Sequence, residues 1–135
     1  MEFGKLAAEK TGDDAVRRFA DRMVTDHRQA SDQLTEIAGN SNISLPSMLD
    51  PDHQRIRTEL EHLDGAQFDH VYIASQIVDH QKTAQLLAWE IGFGQNAEFQ
   101  RFAAQVLPTV LEHLAMATRT QAELASKGAP RHPPN

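Results

Sequence analysis

Three long segments of the sequence carry apolar residues at alternating steps of three and four, and this pattern constrains the fold more than any other feature. Such steps place the apolar side chains on one face of an α-helix, where they form a seam that packs against other helices. We predict these helices at about Asp14–Ala38, Ala66–Ile91 and Asn96–Ser126. Glycine and proline are scarce within them. The sequence therefore predicts an all-α protein.

Turn residues separate the predicted helices. Gly12 ends a short first helix, and an aspartate beside it can cap the next one. A further helical piece begins at Asp50-Pro51 and reaches Leu63, with proline in the first turn. Asp64-Gly65 interrupts this piece, and we expect the same path to resume at Ala66.

The last helix contains Pro108, which removes one backbone hydrogen bond. Because the apolar period continues through it, we expect a kink at this position and not the end of the helix. We predict one domain over residues 1–127, followed by a disordered proline-rich tail over residues 128–135.

One histidine lies on the seam of each long helix, near its middle: His27, His80 and His113. If the helices run up and down, the three imidazoles meet at one level of the core. Burying three such rings without partners would cost roughly 1–3 kcal/mol each. A bound metal ion would explain why three imidazoles lie together in the core, because imidazole is the commonest neutral metal ligand. A layer of histidines and carboxylates without metal is the alternative.

An acidic residue precedes each seam histidine: Asp26, Asp79 and Glu112. One residue earlier on a helix lies about 100° around the axis, so these acids do not easily bind the same ion. We expect each to accept a hydrogen bond from the histidine of a neighbouring helix, or else to be solvated. Tyr72 and Gln76 lie on a stripe with Asp79 and are candidates for further polar contacts.

The remaining histidines lack this context. His53, His70 and His132 lie on no apolar seam, so we predict that they are surface residues. Glu59 and His62 have the Glu-x-x-His spacing of di-iron bundles, but they lie beside the apolar stripe of their helix and not on it. We therefore do not count them as ligands.

Composition narrows the chemistry of any metal site. The chain has no cysteine, so the ligands are nitrogen and oxygen atoms, which suit Zn²⁺ best and leave Cu²⁺ and Fe²⁺ as candidates. Its net charge of −6 argues against a nucleic-acid partner. No stretch approaches the about 20 apolar residues of a membrane span, and the start of the chain shows no signal-peptide pattern.

Several motifs together are similar to those of one protein family. They include Phe19 to His27, Gln76 to His80, and Leu107-Pro108 followed by Glu112-His113. From Glu2 to about Ala125 the chain resembles a bacterial ferritin-like family catalogued as domain of unknown function forty-one forty-two, whose members are often described as exported or outer-membrane proteins. The resemblance implies a ferritin-like up-down four-helix bundle and a periplasmic or exported location.

The chain departs from this family at its start. Members of the family begin with a signal peptide and a full first helix, whereas about ten residues precede Gly12 here. We therefore expect a shortened first helix. Glu2, about one turn below the level of the histidines, is then the candidate fourth ligand, and a second copy of the chain is a candidate to cover the open side.

Taken together, the sequence predicts a bundle that holds one divalent transition metal ion through His27, His80 and His113, with a carboxylate or water completing the shell. The alternative is a structural or interaction bundle with a buried histidine-carboxylate layer. A di-iron oxidase is disfavoured because the seams lack the required carboxylates. The sequence shows no sign of a substrate cleft, which argues against an enzyme.

Overall fold

Five α-helices make up the part of the chain that the computed structural model describes, residues 2–40 and 51–128. They are α1 (Glu2–Lys10), α2 (Asp14–Asn40), α3 (Pro51–His62), α4 (Gly65–Phe93) and α5 (Ala97–Gly128). No strand occurs within these two ranges, so the prediction of an all-α protein is confirmed. The predicted cap Asp50 and the predicted tail beyond Gly128 lie outside the described residues.

Four of the helices pack in a ring. α1 contacts α2 and α4, and α5 contacts the same two helices from the opposite side. The interface between α4 and α5 is the most extensive. Aromatic side chains fill the centre, where Phe19, Phe68 and Tyr72 are fully buried. The result is a helical bundle; its ferritin-like character stays a prediction from the family resemblance.

Short polar side chains fix where α2 and α5 begin. Asp13 Oδ1 accepts hydrogen bonds from the backbone N–H groups of Ala15 (2.9 Å) and Val16 (3.1 Å), as expected for a cap. Asn96 caps α5 in the same way. Lys127 Nζ donates to Asp13 Oδ2 at 2.6 Å and so ties the end of α5 to the start of α2. α5 continues through Pro108, as predicted.

The path of α3 differs from our expectation. We expected α3 and α4 to share one path across Asp64-Gly65, but His53, near the start of α3, contacts Asp79 in the middle of α4. The two helices therefore form an antiparallel hairpin. Gly65 adopts a φ of 60°, in the left-handed region that glycine enters without steric cost, and this allows the chain to reverse.

Burial of the seams changes along the bundle. On α2, Val16, Ala20 and Met23 are buried, whereas Leu34 and Ile37 are half-buried. On α4, Ile73 is fully buried, whereas Ile91 is 37% exposed. The histidines lie between the tightly packed half and this more open half. None of the described helices combines the length and the apolar character needed to cross a membrane.

An apolar stripe on the C-terminal half of α4 is exposed. It is formed by Leu86, Trp89 and Phe93, whose relative exposures are 66%, 56% and 73%. The spacing of three and four residues puts these side chains on one face of the helix. The Trp89 and Phe93 rings contact each other, with centroids 6.1 Å apart.

Candidate metal centre

Helices α2, α4 and α5, three of the four in the ring, bring the three seam histidines together. One nitrogen each of His27, His80 and His113 lies within 4.8 Å of the other two. The ring centroids are 5.6 to 6.1 Å apart. His80 and His113 are buried, with 3% and 2% exposure, and His27 is half-buried. This cluster could hold a metal ion.

The two nitrogens of His113 have different surroundings. Nε2 lies 2.7 Å from Asp26 Oδ2 on the neighbouring helix α2, to which it donates its hydrogen. In the neutral ring Nδ1 is then the acceptor, and it is buried with no hydrogen-bond partner among the described residues. A buried acceptor without a partner costs about 1–3 kcal/mol. A metal ion bound at Nδ1 would remove that cost.

His80 has a similar division of roles. Its Nδ1 lies 2.7 Å from the backbone carbonyl oxygen of Gln76, one turn earlier on α4, and donates to it. Nε2 is therefore the atom that carries the free electron pair. Histidines that bind metals commonly donate their second ring N–H to a carbonyl or carboxylate, which fixes the tautomer and the ring orientation. Both His80 and His113 follow this pattern.

Burial favours the uncharged form of two of the imidazoles, those of His27 and His80. It lowers the pKa of His27 from its ordinary 6.5 to about 4, and the nearby rings of His80 and His113 act in the same direction. The pKa of His80 is also lowered, chiefly by burial. At neutral pH these two rings are therefore neutral, which is the form that binds a metal ion.

Asp26 belongs to a network of charged side chains at the edge of the histidine cluster. Its carboxylate accepts a hydrogen bond from Arg22 Nε, and Arg22 also donates to Glu112 on α5 at 3.1 Å. Burial alone would raise the pKa of Asp26, but the hydrogen bonds from Arg22 and His113 outweigh it, and the pKa is lowered. Asp26 therefore contacts a cluster histidine across helices, whereas Glu112 pairs with Arg22.

Asp79 has a partner that the sequence did not indicate. Its Oδ1 lies 2.8 Å from His53 Nε2. We predicted His53 to be a surface residue, but its side chain is only 31% exposed and lies between α3 and α4. The contact depends on α3 folding back along α4, and the sequence pattern around the Asp64-Gly65 break did not indicate that reversal.

Tyr72 and Gln76 lie below the cluster on α4. Gln76 supplies its backbone carbonyl to His80, and its side chain is buried. Tyr72 stacks on Phe68 and meets Phe19 edge to face, and Phe19 also contacts the His80 ring. Burial raises the pKa of the Tyr72 hydroxyl, which has no hydrogen-bond partner in the part of the chain that the structure describes. The side chain of Glu2, the predicted fourth ligand, lies outside the described residues.

The fold and this site define an all-α protein with a cluster of three histidines, two buried and one half-buried, that could bind a metal ion. The family model described as Domain of unknown function (DUF4142) matches residues 1–120. The chain belongs to this family. No curated protein and no solved structure matches it.

Proposed function

We propose that the protein binds one divalent transition metal ion, with Zn²⁺ preferred, through His27, His80 and His113. The observation that carries the proposal is the buried, unpartnered Nδ1 of His113 within a cluster of three imidazoles. Nitrogen atoms bound to one tetrahedral zinc ion lie about 3.4 Å apart, given Zn–N bonds of about 2.0–2.1 Å. The three nitrogens, which lie within 4.8 Å of one another, would move closer together on binding the ion.

Water or a carboxylate completes the proposed shell. Glu2 is the carboxylate that the sequence suggests, and its neighbours Phe3 and Gly4 on α1 line a cavity together with His27. Asp26 orients His113 and supplies negative charge close to the ion. The family resemblance suggests a ferritin-like bundle in the periplasm, and the histidines suggest that it binds or senses metal there.

Metal retention by purified protein tests this proposal. The protein is incubated with Zn²⁺ or Cu²⁺, dialysed and analysed for metal, next to a triple variant with His27→Ala, His80→Ala and His113→Ala. We expect about one ion per chain for the wild type and almost none for the triple variant. Equal retention by both proteins would refute the proposal.

Two further variants control for histidine number and for folding. His62→Ala combined with His70→Ala removes two exposed histidines and should leave metal retention unchanged. His27→Gln changes the most exposed of the three ligands and is the mildest perturbation of the core. It should weaken zinc binding at least about ten-fold while circular dichroism shows an unchanged helix content.

A polar layer without metal is the alternative, and the Asp26–His113 hydrogen bond is compatible with it. Such a layer would lose stability on acidification whether or not a chelator is present. Melting curves at pH 7.5 and 5.5, with and without EDTA, separate the two hypotheses. Under the metal hypothesis EDTA lowers the melting temperature at pH 7.5, and under the alternative it has no effect.

Self-association stays a proposal from the sequence. The exposed stripe of Leu86, Trp89 and Phe93 supports it, because contiguous apolar surface marks interaction sites more often than chance. Sedimentation velocity over a range of protein concentrations tests it. A monomer at all concentrations would contradict it.

A further inference from the structure

The outer face of α4 carries one continuous stripe of exposed side chains. Four of the six large apolar side chains that are exposed among the described residues belong to it: Val78, Leu86, Trp89 and Phe93. Lys82 lies midway between Val78 and Leu86, and steps of three and four residues keep all five side chains on one side of the helix. We call these five residues the outer stripe. Contiguous exposed apolar surface of this kind marks an interaction site.

The two ends of the outer stripe differ in shape. At the C-terminal end, the exposed rings of Trp89 and Phe93 contact each other and form a ridge. At the N-terminal end, Val78 and Lys82 line a groove of about 440 Å³, whose opposite wall includes Ile56 of α3. Pockets of about 300–1,000 Å³ hold drug-sized ligands, so this groove has room for an aromatic side chain. The outer stripe therefore combines a ridge with a recess.

The positions of ridge and recess suit a second copy of the same chain. Two copies related by a two-fold axis exchange identical contacts, so the ridge of each must meet the recess of the other. Val78 and Phe93 are equally far from the point between positions 85 and 86, and so are Lys82 and Trp89. With a two-fold axis at this point and antiparallel helices, Phe93 of one copy lies opposite Val78 of the second. The same axis places Trp89 opposite Lys82, and the two copies of Leu86 meet beside it.

The charges along α4 fit this arrangement. Lys82 forms no ion pair with another described residue, and an ammonium group is attracted to the face of a tryptophan ring. Asp79 lies opposite Gly92 of the second copy in this register. Glu90 lies opposite Gln81, so no like charges meet. A parallel pair of helices would instead bring the two copies of Lys82 together.

We propose that the outer stripe is the interface of a homodimer in which two copies of α4 pack antiparallel, with the aromatic ridge of each copy in the groove of the other. This inference rests on the proposed self-association, to which it assigns a surface and a register, and it does not depend on metal binding. Four apolar side chains per copy make a small interface, of the class below about 1,200 Å² that associates weakly. We therefore expect a dissociation constant in the micromolar range.

Sedimentation velocity of metal-free protein in EDTA, over about a hundred-fold range of concentration, tests the interface. The wild type should pass from monomer to dimer across this range. Trp89→Asp and Phe93→Asp place a charge at exposed positions of the outer stripe and should each weaken dimerisation at least about ten-fold. Leu111→Asp removes an exposed apolar side chain from α5 and should leave dimerisation unchanged. Circular dichroism checks that all three variants keep the helix content of the wild type.

An exchange of side chains between two positions tests the register. Lys82→Glu and Trp89→Lys should each weaken dimerisation at least about five-fold, because each removes the contact between ammonium group and ring. Combined in one chain, they place the new carboxylate of each copy opposite the new ammonium group of the other. The double variant should therefore dimerise at least about five-fold more tightly than either single variant. Parallel helices would bring like charges together and make the double variant the weakest of the three.

The possible failures are distinguishable. A monomer at every concentration would overturn this inference together with the proposed self-association, and metal retention would be unaffected. A dimer that Trp89→Asp leaves intact, or that Leu111→Asp weakens equally, would overturn the outer stripe as the interface. A double variant no tighter than the single variants would overturn the antiparallel register.

Discussion

At His113, the hydrogen bond to Asp26 decides which ring nitrogen is available to bind a metal ion. Asp26 accepts the hydrogen of Nε2, so the electron pair of Nδ1 is left inside the cluster. The sequence indicated this relationship, because an acid next to a seam histidine lies on the flank of its helix and can reach the neighbouring one. It did not indicate that Glu112, in the equivalent position, would pair with Arg22 instead.

Replacing Asp26 tests its part in metal binding. Asp26→Asn keeps the shape of the side chain but removes the negative charge that makes His113 a better ligand. We expect zinc affinity to fall about 10- to 100-fold, as is typical for the partners of metal-binding histidines. Competition with a chromophoric chelator measures the change.

Glu112→Gln is the matched control for this experiment. It also removes one carboxylate from Arg22, but the Glu112 side chain is exposed and pairs with Arg22. We expect zinc affinity to change by no more than about five-fold, as for a surface ion pair. Equal losses in the two variants would mean that Asp26 acts only through the overall charge.

The lowered pKa values of His27 and His80 predict how the metal-free protein responds to pH. Between pH 6.5 and about 4, the unfolded chain binds a proton at His27 that the folded chain excludes. Stability therefore falls as the pH drops through this range and is fully present above pH 6.5. His80 adds a change of the same sign. Asp79, by attracting a proton to His27, reduces the effect in part.

Urea unfolding in EDTA at pH 7.5 and 5 measures this dependence. The unfolding midpoint should be lower at pH 5, and His27→Gln should show a weaker pH dependence than the wild type. His62→Ala, which removes an exposed ring, should behave like the wild type. A midpoint that rises on acidification would contradict the half-buried, neutral state of His27.

Among the helices, α3 illustrates the limit of local sequence signals. The seams of α2, α4 and α5 predicted where the long helices run, because the pattern of apolar residues repeats over many turns. Asp64-Gly65 indicated the end of a helix just as clearly, but such a break does not indicate the direction in which the next helix runs. The reversal depends on the left-handed backbone of Gly65 and on the packing of α3 against α4. This packing also explains why the contact between His53 and Asp79 was missed.

Two glycine substitutions, which should change the stability of the protein in opposite directions, test this turn. Gly65→Ala forces a side chain into a φ of 60° and should destabilise the protein by about 1–2 kcal/mol, although the space around it is open. Gly92→Ala lies near the end of α4, also with nothing close by, and should stabilise the protein by about 0.5–1 kcal/mol. Urea unfolding of both variants measures the two changes. A neutral Gly65→Ala would show that the turn does not need its left-handed backbone.

At the scale of the whole molecule, a metal ion in the cluster would cross-link three of the helices. Zn²⁺ at 100 times its dissociation constant adds about 2.7 kcal/mol to stability. For a domain of this size we expect the melting temperature to rise by roughly 10 °C. Calorimetry with and without zinc measures the rise, EDTA should reverse it, and the triple histidine variant should not show it. A rise of the same size in that variant would place the zinc elsewhere.

The ligands of the bound metal are the most direct test of the account. X-ray absorption at the zinc edge, on protein loaded with one equivalent of zinc, reports the number and type of atoms around the ion. We predict three imidazole nitrogens at about 2.0–2.1 Å and one oxygen. A shell made mainly of oxygen, or one with fewer than two imidazoles, would contradict a metal centre built from His27, His80 and His113.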